Sequence, residues 1–287
     1  MKIALGSAQF GMDYGINNQR GVIPKKEVFT ILQKAIDSGI NIVDTANDYG
    51  SSLKVIGEFI KDNPAHRLLK IVSKDKCCYK KEIAKNIEYT LGVLNIKSLY
   101  GFLIHDFDQY KNNPEIWDEL LNLKKEGRVK KIGFSLYFPK QLERIIDDDL
   151  EFDLIQIPYN LFDRRFEKYL KILKSRGVEL HVRSIFMQGL FFRHLDDLDD
   201  FFEPIKNNIK EIQRISESYS ISISSLCLKF VDKNKFIDTG IIGVDSLDNL
   251  LENLKFSEID LSDRIFEALK KMEVKNEDII VPSNWPS

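Results

Sequence analysis

The sequence predicts an α/β protein folded as a (β/α)8 TIM barrel, with extra helices after the seventh strand and near the C-terminus. Its 287 residues are close to the roughly 250 that are typical of such barrels. Short apolar runs alternate with longer amphipathic segments along nearly the whole chain, which is the pattern of strand–helix units around a parallel sheet. Eight such units favour a closed barrel over an open doubly wound sheet, which has fewer strands and a glycine-rich first turn.

Each predicted strand is a short run rich in β-branched and aliphatic residues. In order, the strands are Ile3–Leu5, Ile40–Asp44, Leu69–Ser73, Leu99–His105, Lys131–Ser135, Leu154–Ile157, Glu179–Val182 and Ile237–Ile242. The helices between them carry apolar residues at helical spacing, and several end at a glycine, as a C-cap would. They are Lys25–Ser38, Leu53–Lys61, Lys81–Leu94, Ile116–Glu126, Pro139–Asp147, Arg164–Arg176, Ser222–Asp232 and Ser246–Phe256. Two further helices, Pro204–Tyr219 and Ser262–Lys271, fall outside the eightfold count. No linker divides the chain, so we expect one domain over residues 1–287.

The composition indicates a globular protein of the cytoplasm. Hydrophobic residues make up 43% and charged residues 30% of the chain, which is enough for a sizeable core beneath a charged surface. The formal charge is −2 and neither sign forms a long block, so we expect no nucleic-acid or membrane partner. The apolar stretch after Met1 is too short for a signal peptide. Cys77, Cys78 and Cys227 lack the spacing of a zinc site and are expected to be reduced thiols.

Polar residues follow three neighbouring predicted strands, at the ends where barrel enzymes place their active sites. Strand two ends in Asp44 and leads to Tyr49, strand three ends in Ser73-Lys74, and strand four ends in His105. Taken singly, each has an ordinary alternative role: a helix cap, loop packing, a solvated charge or a satisfied core histidine. Projecting together from adjacent strands, however, these side chains would converge on one pocket.

The chemistry of this group follows from its residue types. A phenol with an ordinary pKa near 10 is a weak acid at neutral pH, but an adjacent ammonium lowers that pKa by stabilising the phenolate. Lys74 would supply this charge for Tyr49, and Asp44 would hold Lys74 protonated and in place. A neutral His105 imidazole would donate a hydrogen bond to a substrate oxygen. The group therefore suits reduction of a carbonyl, in which Tyr49 protonates the oxygen and the hydride comes from a cofactor.

A series of short motifs runs in order along nearly the whole chain. The motifs are Leu5-Gly-Ser-Ala-Gln-Phe-Gly11, Gly39-Ile-Asn-Ile-Val-Asp-Thr-Ala-Asn-Asp-Tyr-Gly50, Ser73-Lys74, His105, Gly133-Phe-Ser135, Gln156-Ile-Pro-Tyr-Asn160 and Gln188-Gly189. Together they resemble the aldo-keto reductase family. The resemblance implies an NAD(P)-dependent oxidoreductase that takes its hydride from a reduced nicotinamide nucleotide. Its catalytic residues would be Asp44, Tyr49, Lys74 and His105.

The same resemblance implies where the cofactor lies. Ser135 and Gln156 would hold the nicotinamide carboxamide, although simple strand-end hydrogen bonding is the alternative for both. Residues 184–189 would lie along the pyrophosphate, and residues 242–253 would bind the adenosine. The cofactor-binding residues implied in this way are Phe10, Gly11, Asp44, Ser135, Gln156, Arg183, Ser184, Phe186, Gln188, Gly189, Gly243, Val244, Asn249, Glu252 and Asn253.

Several departures from the family pattern concern the nucleotide. The lysine and arginine that many members place on the 2′-phosphate align with Gly243 and Asn249, and Asp245 adds a negative charge, so NAD(H) is an alternative cofactor. Ser246 and the amides of the following helix N-terminus can bind a phosphate, which slightly favours NADP(H). Leu136 stands where many members have asparagine, so one carboxamide contact is absent or replaced.

A further departure lies at the end of strand seven, where Arg183 aligns with an aromatic residue that often stacks on the nicotinamide. Three roles are open for it: stacking through its guanidinium plane, contact with an anionic group of substrate or cofactor, and pairing with a neighbouring carboxylate. Together with Arg183, the short C-terminal stretch Met272–Ser287 predicts an open, polar pocket. Trp285 is the residue in that stretch best suited to contact substrate.

We therefore expect the chain to reduce an aldehyde or ketone, polar or sugar-derived, to an alcohol. Two alternatives stay open: a barrel that binds nicotinamide nucleotide as a sensor or regulatory subunit, and a redox-neutral sugar-modifying enzyme that retains its cofactor. No metal is expected. A metal-dependent hydrolase is disfavoured because the four histidines, which are His66, His105, His181 and His194, lack paired ligand spacing.

Overall fold

Eight parallel strands close into a barrel in the computed structural model, which describes residues 1–63, 67–76 and 79–286. The strands are β1 (Lys2–Gly6), β2 (Ile42–Asp44), β3 (Lys70–Asp75), β4 (Leu99–Ile104), β5 (Val129–Ser135), β6 (Leu154–Pro158), β7 (Glu179–Arg183) and β8 (Thr239–Ile242). Each pairs with the next, and β8 returns to β1, with Ile241 opposite Ala4. The predicted barrel is confirmed. Cys77, Cys78 and His66, on which the sequence also made predictions, lie outside the described residues.

The helices form the outer layer and alternate with the strands as predicted. They are α1 (Lys25–Asp37), α2 (Ser52–Asp62), α3 (Lys80–Leu94), α4 (Phe107–Asn112), α5 (Ile116–Lys125), α6 (Pro139–Asp147), α7 (Glu167–Ser175), α8 (Lys206–Tyr219), α9 (Ile223–Asp232), α10 (Leu247–Leu254), α11 (Asp263–Lys270) and α12 (Glu277–Ile280). Helices α8 and α11 match the two predicted outside the eightfold count. The short helices α4 and α12 escape the prediction, because so few turns show no periodic apolar face. Among the described residues, no helix is both long and apolar enough to cross a membrane.

Helix α7 begins at Glu167 rather than at Arg164, because the residues before it form a loop held by side chains. The Asn160 Oδ1 atom accepts a hydrogen bond from the backbone N–H of Asp163 at 2.9 Å. The buried Asp163 carboxylate in turn pairs with the Arg165 guanidinium at 2.8 Å. This loop places Asn160 at the carboxyl edge of the barrel, next to the segment that follows β7.

Two apolar layers hold the strands in place. The interior of the barrel is filled by a small buried cluster consisting of Ala4, Ile42, Val72, Leu103, Leu154 and Ile241. A larger core lies between strands and helices, where the Trp117 ring stacks on Phe134 with 4.9 Å between ring centroids. At Gly133 a Cβ atom would lie 1.6 Å from the Leu154 carbonyl oxygen, so β5 and β6 approach this closely only with glycine. These layers fix the strand ends that carry the polar residues.

The amino ends of the strands carry a polar group that we call the lower cluster, made of Tyr100, Lys131, Glu179 and His181. The Glu179 carboxylate accepts hydrogen bonds from the Tyr100 hydroxyl at 2.7 Å and from the Lys131 ammonium, and it lies 2.8 Å from His181 Nε2. Burial raises the pKa of Glu179, but these three hydrogen-bond partners outweigh it, so the pKa lies well below its usual range. The lower cluster thus ties β4, β5 and β7 together at the bottom of the barrel.

Candidate active site

A cavity of about 660 Å³ opens at the carboxyl ends of the strands, where barrels of this kind carry their sites. The β2 to β4 side contributes Asp44, Tyr49, Lys74 and His105 to its wall. The β6 and β7 side contributes Gln156, Arg183, Ser184, Phe186, Gln188 and Gly189. The β8 side contributes Gly243, Asn249, Glu252 and Asn253. Most of the predicted site residues therefore share one cavity.

A buried ion pair lies on the β2 to β4 side of this cavity. The Lys74 side chain is 1% exposed, and its ammonium donates hydrogen bonds to Asp44 Oδ1 and, at 3.4 Å, to the Thr45 carbonyl oxygen. The two residues meet because Asp44 ends β2 and Lys74 lies near the end of the neighbouring strand β3. Burial opposes the charge on Lys74, but Asp44 and Tyr49 outweigh it and raise the pKa, so Lys74 is a cation at neutral pH.

Tyr49 is positioned by a close crossing of two loops. The Ser51 N–H donates a hydrogen bond to the Gly11 carbonyl oxygen at 3.2 Å. A Cβ atom at Gly11 would lie 2.1 Å from the Tyr49 carbonyl oxygen, and one at Gly50 would lie 2.1 Å from the Gly11 carbonyl oxygen. Gly50 also has a φ of 54°, in the left-handed region that favours glycine. The two glycines therefore let the loops approach and bring Tyr49 over Lys74, with 5.0 Å between Lys74 Nζ and the centre of the Tyr49 ring.

The acidity of Tyr49 differs from the expectation. Burial of the phenol raises its pKa, and Lys74 offsets only part of that rise. The expected net lowering was wrong, because the cavity withdraws water from the phenolate more than one ammonium compensates. Tyr49 is therefore fully protonated at neutral pH, and Lys74 acts on the phenolate once a proton has left.

His105 follows β4, and its ring lies edge-on to Tyr49 with 6.3 Å between ring centroids. Burial and the nearby Lys74 lower the pKa of His105 from 6.5 to about 4, although Asp48 works in the opposite direction. The imidazole is therefore neutral at pH 7, as expected. Its Nδ1 atom is buried without a hydrogen-bond partner among the described residues, and Asp48 Oδ1 lies 3.6 Å from it.

Gln156 joins the ion pair to the neighbouring strand. Its Nε2 atom donates a hydrogen bond to Asp44 Oδ2 at 2.7 Å, and its Oε1 atom accepts one from the Ser135 hydroxyl at 3.4 Å. Four predicted cofactor-binding residues do not line the cavity, namely Phe10, Gly11, Ser135 and Val244. Phe10 and Val244 are buried in the hydrophobic core, so the structure does not place these two predicted cofactor side chains at the cavity.

The loop after β7 adopts an unusual backbone. Ser184, Met187 and Gln188 have φ values of 59°, 48° and 52°, which non-glycine residues rarely adopt. Asn160 Nδ2 donates a hydrogen bond to the Ser184 carbonyl oxygen at 3.0 Å, and the Ile16 N–H donates one to the Gln188 carbonyl oxygen at 3.1 Å. The loop is therefore held in a sterically costly shape from both sides. Asn160 belongs to a motif that the sequence analysis recognised, but only the three-dimensional contact shows its role.

The Arg183 guanidinium stacks on an aromatic ring and donates hydrogen bonds to two neutral acceptors. Its guanidinium carbon lies 4.1 Å from the centre of the Tyr137 ring, and its two terminal nitrogens donate hydrogen bonds to the Leu136 carbonyl oxygen at 3.0 Å and to the Ser184 hydroxyl at 3.3 Å. No carboxylate pairs with it in the described part of the chain, so these residues give the ion-pair alternative no support. Leu136, noted as a departure from the family pattern, contributes through its backbone.

Two tyrosines and one glutamine of the cavity wall escaped the sequence analysis. Tyr14 and Gln9 come from the β1–α1 loop and Tyr137 from the β5–α6 loop. Gln9 lies within the first recognised motif, although it was not assigned to the site. Nothing in the residue pattern separates Tyr14 and Tyr137 from the other tyrosines, because loop conformation alone brings them to the cavity. Trp285, expected to contact substrate, does not line the cavity. Its indole N–H donates to the Ile279 carbonyl oxygen at 2.7 Å, and its ring packs on the outer layer.

The β8 side of the cavity ends at the first turn of α10. The Ser246 hydroxyl caps this helix by accepting a hydrogen bond from the Asn249 N–H at 3.1 Å. Arg20 reaches the same turn, where it donates a hydrogen bond to the Asp245 carbonyl oxygen at 2.7 Å and pairs with Glu27. A cation, paired with Glu27, therefore lies beside the turn that leads into α10.

A family model described as the aldo/keto reductase family matches residues 2–274. The chain belongs to this family. Uncharacterized oxidoreductase YqkF of Bacillus subtilis is 23% identical over 260 residues, which cover 80% of this chain and 82% of that protein. NADH-specific methylglyoxal reductase of Escherichia coli is 23% identical over 289 residues, with 85% and 86% covered. Aldo-keto reductase AKR11C1 from Bacillus halodurans, in its holo form, has the same fold with a TM-score of 0.79 at 19% identity, with 94% and 91% covered.

This aldo/keto reductase is an NAD(P)-dependent oxidoreductase. Its family acts on small-molecule carbonyl compounds with a nicotinamide cofactor as the hydride carrier.

Proposed function

We propose that this aldo/keto reductase reduces an aldehyde or ketone to an alcohol, with Tyr49 as the proton donor. The observation that supports the proposal most directly is the position of the protonated Tyr49 phenol over the buried Lys74–Asp44 pair, on the wall of the cavity. The nicotinamide cofactor, when bound, supplies the hydride that adds to the carbonyl carbon.

The residues of the cavity account for the remaining steps. The Tyr49 hydroxyl and the neutral His105 imidazole donate hydrogen bonds to the substrate oxygen and polarise the carbonyl. As the carbon is reduced, Tyr49 transfers its proton to that oxygen, and the alcohol forms. The phenolate left behind is stabilised by Lys74, which Asp44 keeps protonated, and it then recovers a proton from solvent.

The cofactor would lie along the cavity wall from Gln156 to α10. The Gln156 side chain, fixed by Asp44 and Ser135, is placed to bind the carboxamide. The loop of residues 184–189 would face the pyrophosphate with its backbone, and Glu252 and Asn253 would bind the adenine.

The test is turnover of a carbonyl panel by the purified protein, measured as consumption of NADPH or NADH. Tyr49→Phe should lower kcat by about 10²–10⁴-fold and leave the Kd of the cofactor within about twofold, because only the transferable proton is removed. Tyr100→Phe is the matched control: it deletes a hydrogen-bonded hydroxyl of the lower cluster and should leave kcat unchanged.

Three results would contradict the proposal. One is full turnover by Tyr49→Phe. Another is tight cofactor binding without reduction of any member of a broad panel, which would favour the sensor alternative. The third is cofactor retained through turnover without net consumption, which would favour the redox-neutral alternative.

The proposed cofactor is NADP(H). Its 2′-phosphate would meet the Ser246 hydroxyl, the amides of the first turn of α10 and the Arg20 guanidinium. Arg20→Met should therefore weaken NADPH binding by about 2- to 5-fold and leave NADH binding unchanged, because NADH lacks that phosphate. Dissociation constants measured for both cofactors check this, and NADH binding at least about tenfold tighter than NADPH binding would contradict it.

A further inference from the structure

Arg183 carries a positive charge on the cavity wall that no acidic residue of the described chain neutralises. Its hydrogen-bond acceptors are a carbonyl oxygen of Leu136 and the hydroxyl of Ser184, both neutral. The stacking on Tyr137 holds the guanidinium in one orientation. A half-buried cation with only neutral partners is incompletely compensated, so an anion at this point would be bound favourably.

The neighbouring charges leave this cation unmatched. Asp44 is occupied by Lys74 inside the cavity. Asp48, at the rim, forms an ion pair with Lys76 at 3.1 Å. His105 is neutral at pH 7. Counted over the described residues, the reacting end of the cavity therefore carries a net positive charge, and it comes from Arg183.

Arg183 lies at the end of the cavity where the proton is transferred. Burial and Lys74 are the main causes of the low pKa of His105, and Arg183 adds to them. Arg183 also acts on the pKa of Tyr49, after burial and Lys74. Arg183 ends β7 and lines the same cavity as Tyr49 and His105. An anion bound by Arg183 would therefore lie beside the carbonyl that Tyr49 protonates, away from the adenosine end at α10.

Tyr14 supplies a second donor at the same place. Tyr14 lines the cavity wall and is 36% exposed. A phenol has an ordinary pKa near 10, and the cavity surroundings and Tyr49 raise that of Tyr14 further, so its hydroxyl keeps its proton at neutral pH. The Tyr14 oxygen accepts a hydrogen bond from Gln188 Nε2 at 3.1 Å, which fixes the phenol and leaves its hydrogen for another acceptor. A charged fork and a phenolic hydroxyl form a donor set that suits an oxyanion.

We propose that the substrate of this enzyme carries an oxyanion, a carboxylate or a phosphate, near its carbonyl group, and that Arg183 with Tyr14 binds it. The inference rests on the proposed carbonyl reduction and adds the substrate class. Arg183 is then the residue that decides between anionic and neutral carbonyl compounds.

The test compares pairs of substrates that differ only in the anion: an oxo acid against its methyl ester, and an aldose phosphate against the free aldose. We expect the kcat/KM of the anionic member to exceed that of the neutral member by about tenfold or more, and Arg183→Gln to reduce this ratio by about 10- to 100-fold, mainly through KM. Effects of the substitution on the cofactor or on proton transfer are common to both members and cancel in the ratio. The carboxylate and phosphate pairs distinguish the two kinds of anion.

Two further variants sharpen the comparison. Arg183→Lys keeps the charge but loses the planar fork, and it should retain part of the ratio. Arg193→Gln is the matched control, because Arg193 follows the same loop but its guanidinium donates a hydrogen bond to the Asp197 carbonyl oxygen on the surface. Its ratio should equal that of the wild type.

A ratio near one in the wild type, or a ratio that Arg183→Gln leaves unchanged, would overturn the inference while carbonyl reduction stands. If no member of any pair is reduced, the proposed function fails instead. In that case, calorimetric titration of the cofactor-loaded protein with the anionic members decides the inference separately. Binding that Arg183→Gln abolishes would support the anion site, and no binding would overturn it.

Discussion

The two ends of the barrel carry the same four kinds of side chain in different arrangements. The upper group contains Asp44, Lys74, Tyr49 and His105, and the lower cluster contains Glu179, Lys131, Tyr100 and His181. In the lower cluster the tyrosine hydroxyl donates to the carboxylate, which also binds the lysine and the histidine. In the upper group the carboxylate binds the lysine and a glutamine amide, and no described carboxylate accepts from the tyrosine.

This difference separates a structural polar group from a candidate catalytic one. Tyr100 cannot give its proton to a substrate, because that proton is engaged with Glu179 and none of the four lower residues lines the cavity. Tyr49 faces the cavity, and its own neighbour Lys74 stabilises the state that proton transfer leaves behind. Residue types alone therefore do not identify the site, and the direction of each hydrogen bond does.

The largest expected effect comes from removing each lysine in turn. Lys74→Met should lower kcat by about 10²–10⁴-fold, because Lys74 is the main group that stabilises the Tyr49 phenolate. It should also destabilise the fold by about 3–5 kcal/mol through the unpaired Asp44. Lys131→Met should leave kcat within about twofold. Steady-state kinetics measures kcat and urea unfolding measures the free energy of unfolding for each variant. Lys74→Arg keeps the charge, so it serves as a control in which Asp44 remains paired. Equal losses of kcat in Lys74→Met and Lys131→Met would contradict the distinction between the upper group and the lower cluster.

The next effect concerns the protonation of His105. Because its pKa in the folded protein is about 4 and that of an unfolded histidine is near 6.5, the unfolded chain binds the proton more readily. His105 therefore contributes stability that is fully present above about pH 6.5 and is lost as the pH falls toward 4, by up to about 3 kcal/mol. Activity should likewise persist down to about pH 5. Titration of the His105 ring signal by NMR, assigned with His105→Gln, checks this, and a midpoint between 6 and 7 would contradict it.

The smallest effect comes from Glu179→Gln in the lower cluster. The substitution weakens three hydrogen bonds at once and should lower the free energy of unfolding by about 1–3 kcal/mol at pH 7, with no change in kcat. The pKa of Glu179 is depressed, so the stability it contributes is present above its ordinary pKa and is lost as the pH falls below it. Urea unfolding at pH 7 and pH 4 should therefore show a smaller difference between wild type and variant at pH 4. A variant that loses turnover would instead show that the lower cluster acts on the site.

The sequence predicted the features that strand order controls. Parallel strand ends meet at one edge of the barrel, so the strand order by itself predicts that Asp44, Lys74 and His105 lie close together. The sequence did not predict the conformation of the loops. Tyr14 and Tyr137 reach the cavity from loops whose paths depend on tertiary contacts.

The sequence also did not predict the outcome where opposing physical effects act on one side chain. The presence of Lys74 near Tyr49 was foreseen, but the net direction of the Tyr49 pKa depends on how completely the cavity excludes water. Trp285 was assigned to the pocket from its residue type, yet its indole N–H finds a carbonyl oxygen in its own segment. In each case the sequence names the groups and the packing decides the outcome.

The loop crossing beneath Tyr49 bears on how freely this enzyme can vary. Gly11 and Gly50 should tolerate substitution as poorly as Tyr49 does. Any side chain at either glycine would displace the backbone that carries Tyr49. Gly92 in α3 has open space around it, and alanine there should be tolerated or add about 0.5–1 kcal/mol. Tolerance to substitution thus differs sharply between glycines. It is lowest at Gly11 and Gly50, which take no part in the chemistry but whose backbones touch each other beneath Tyr49.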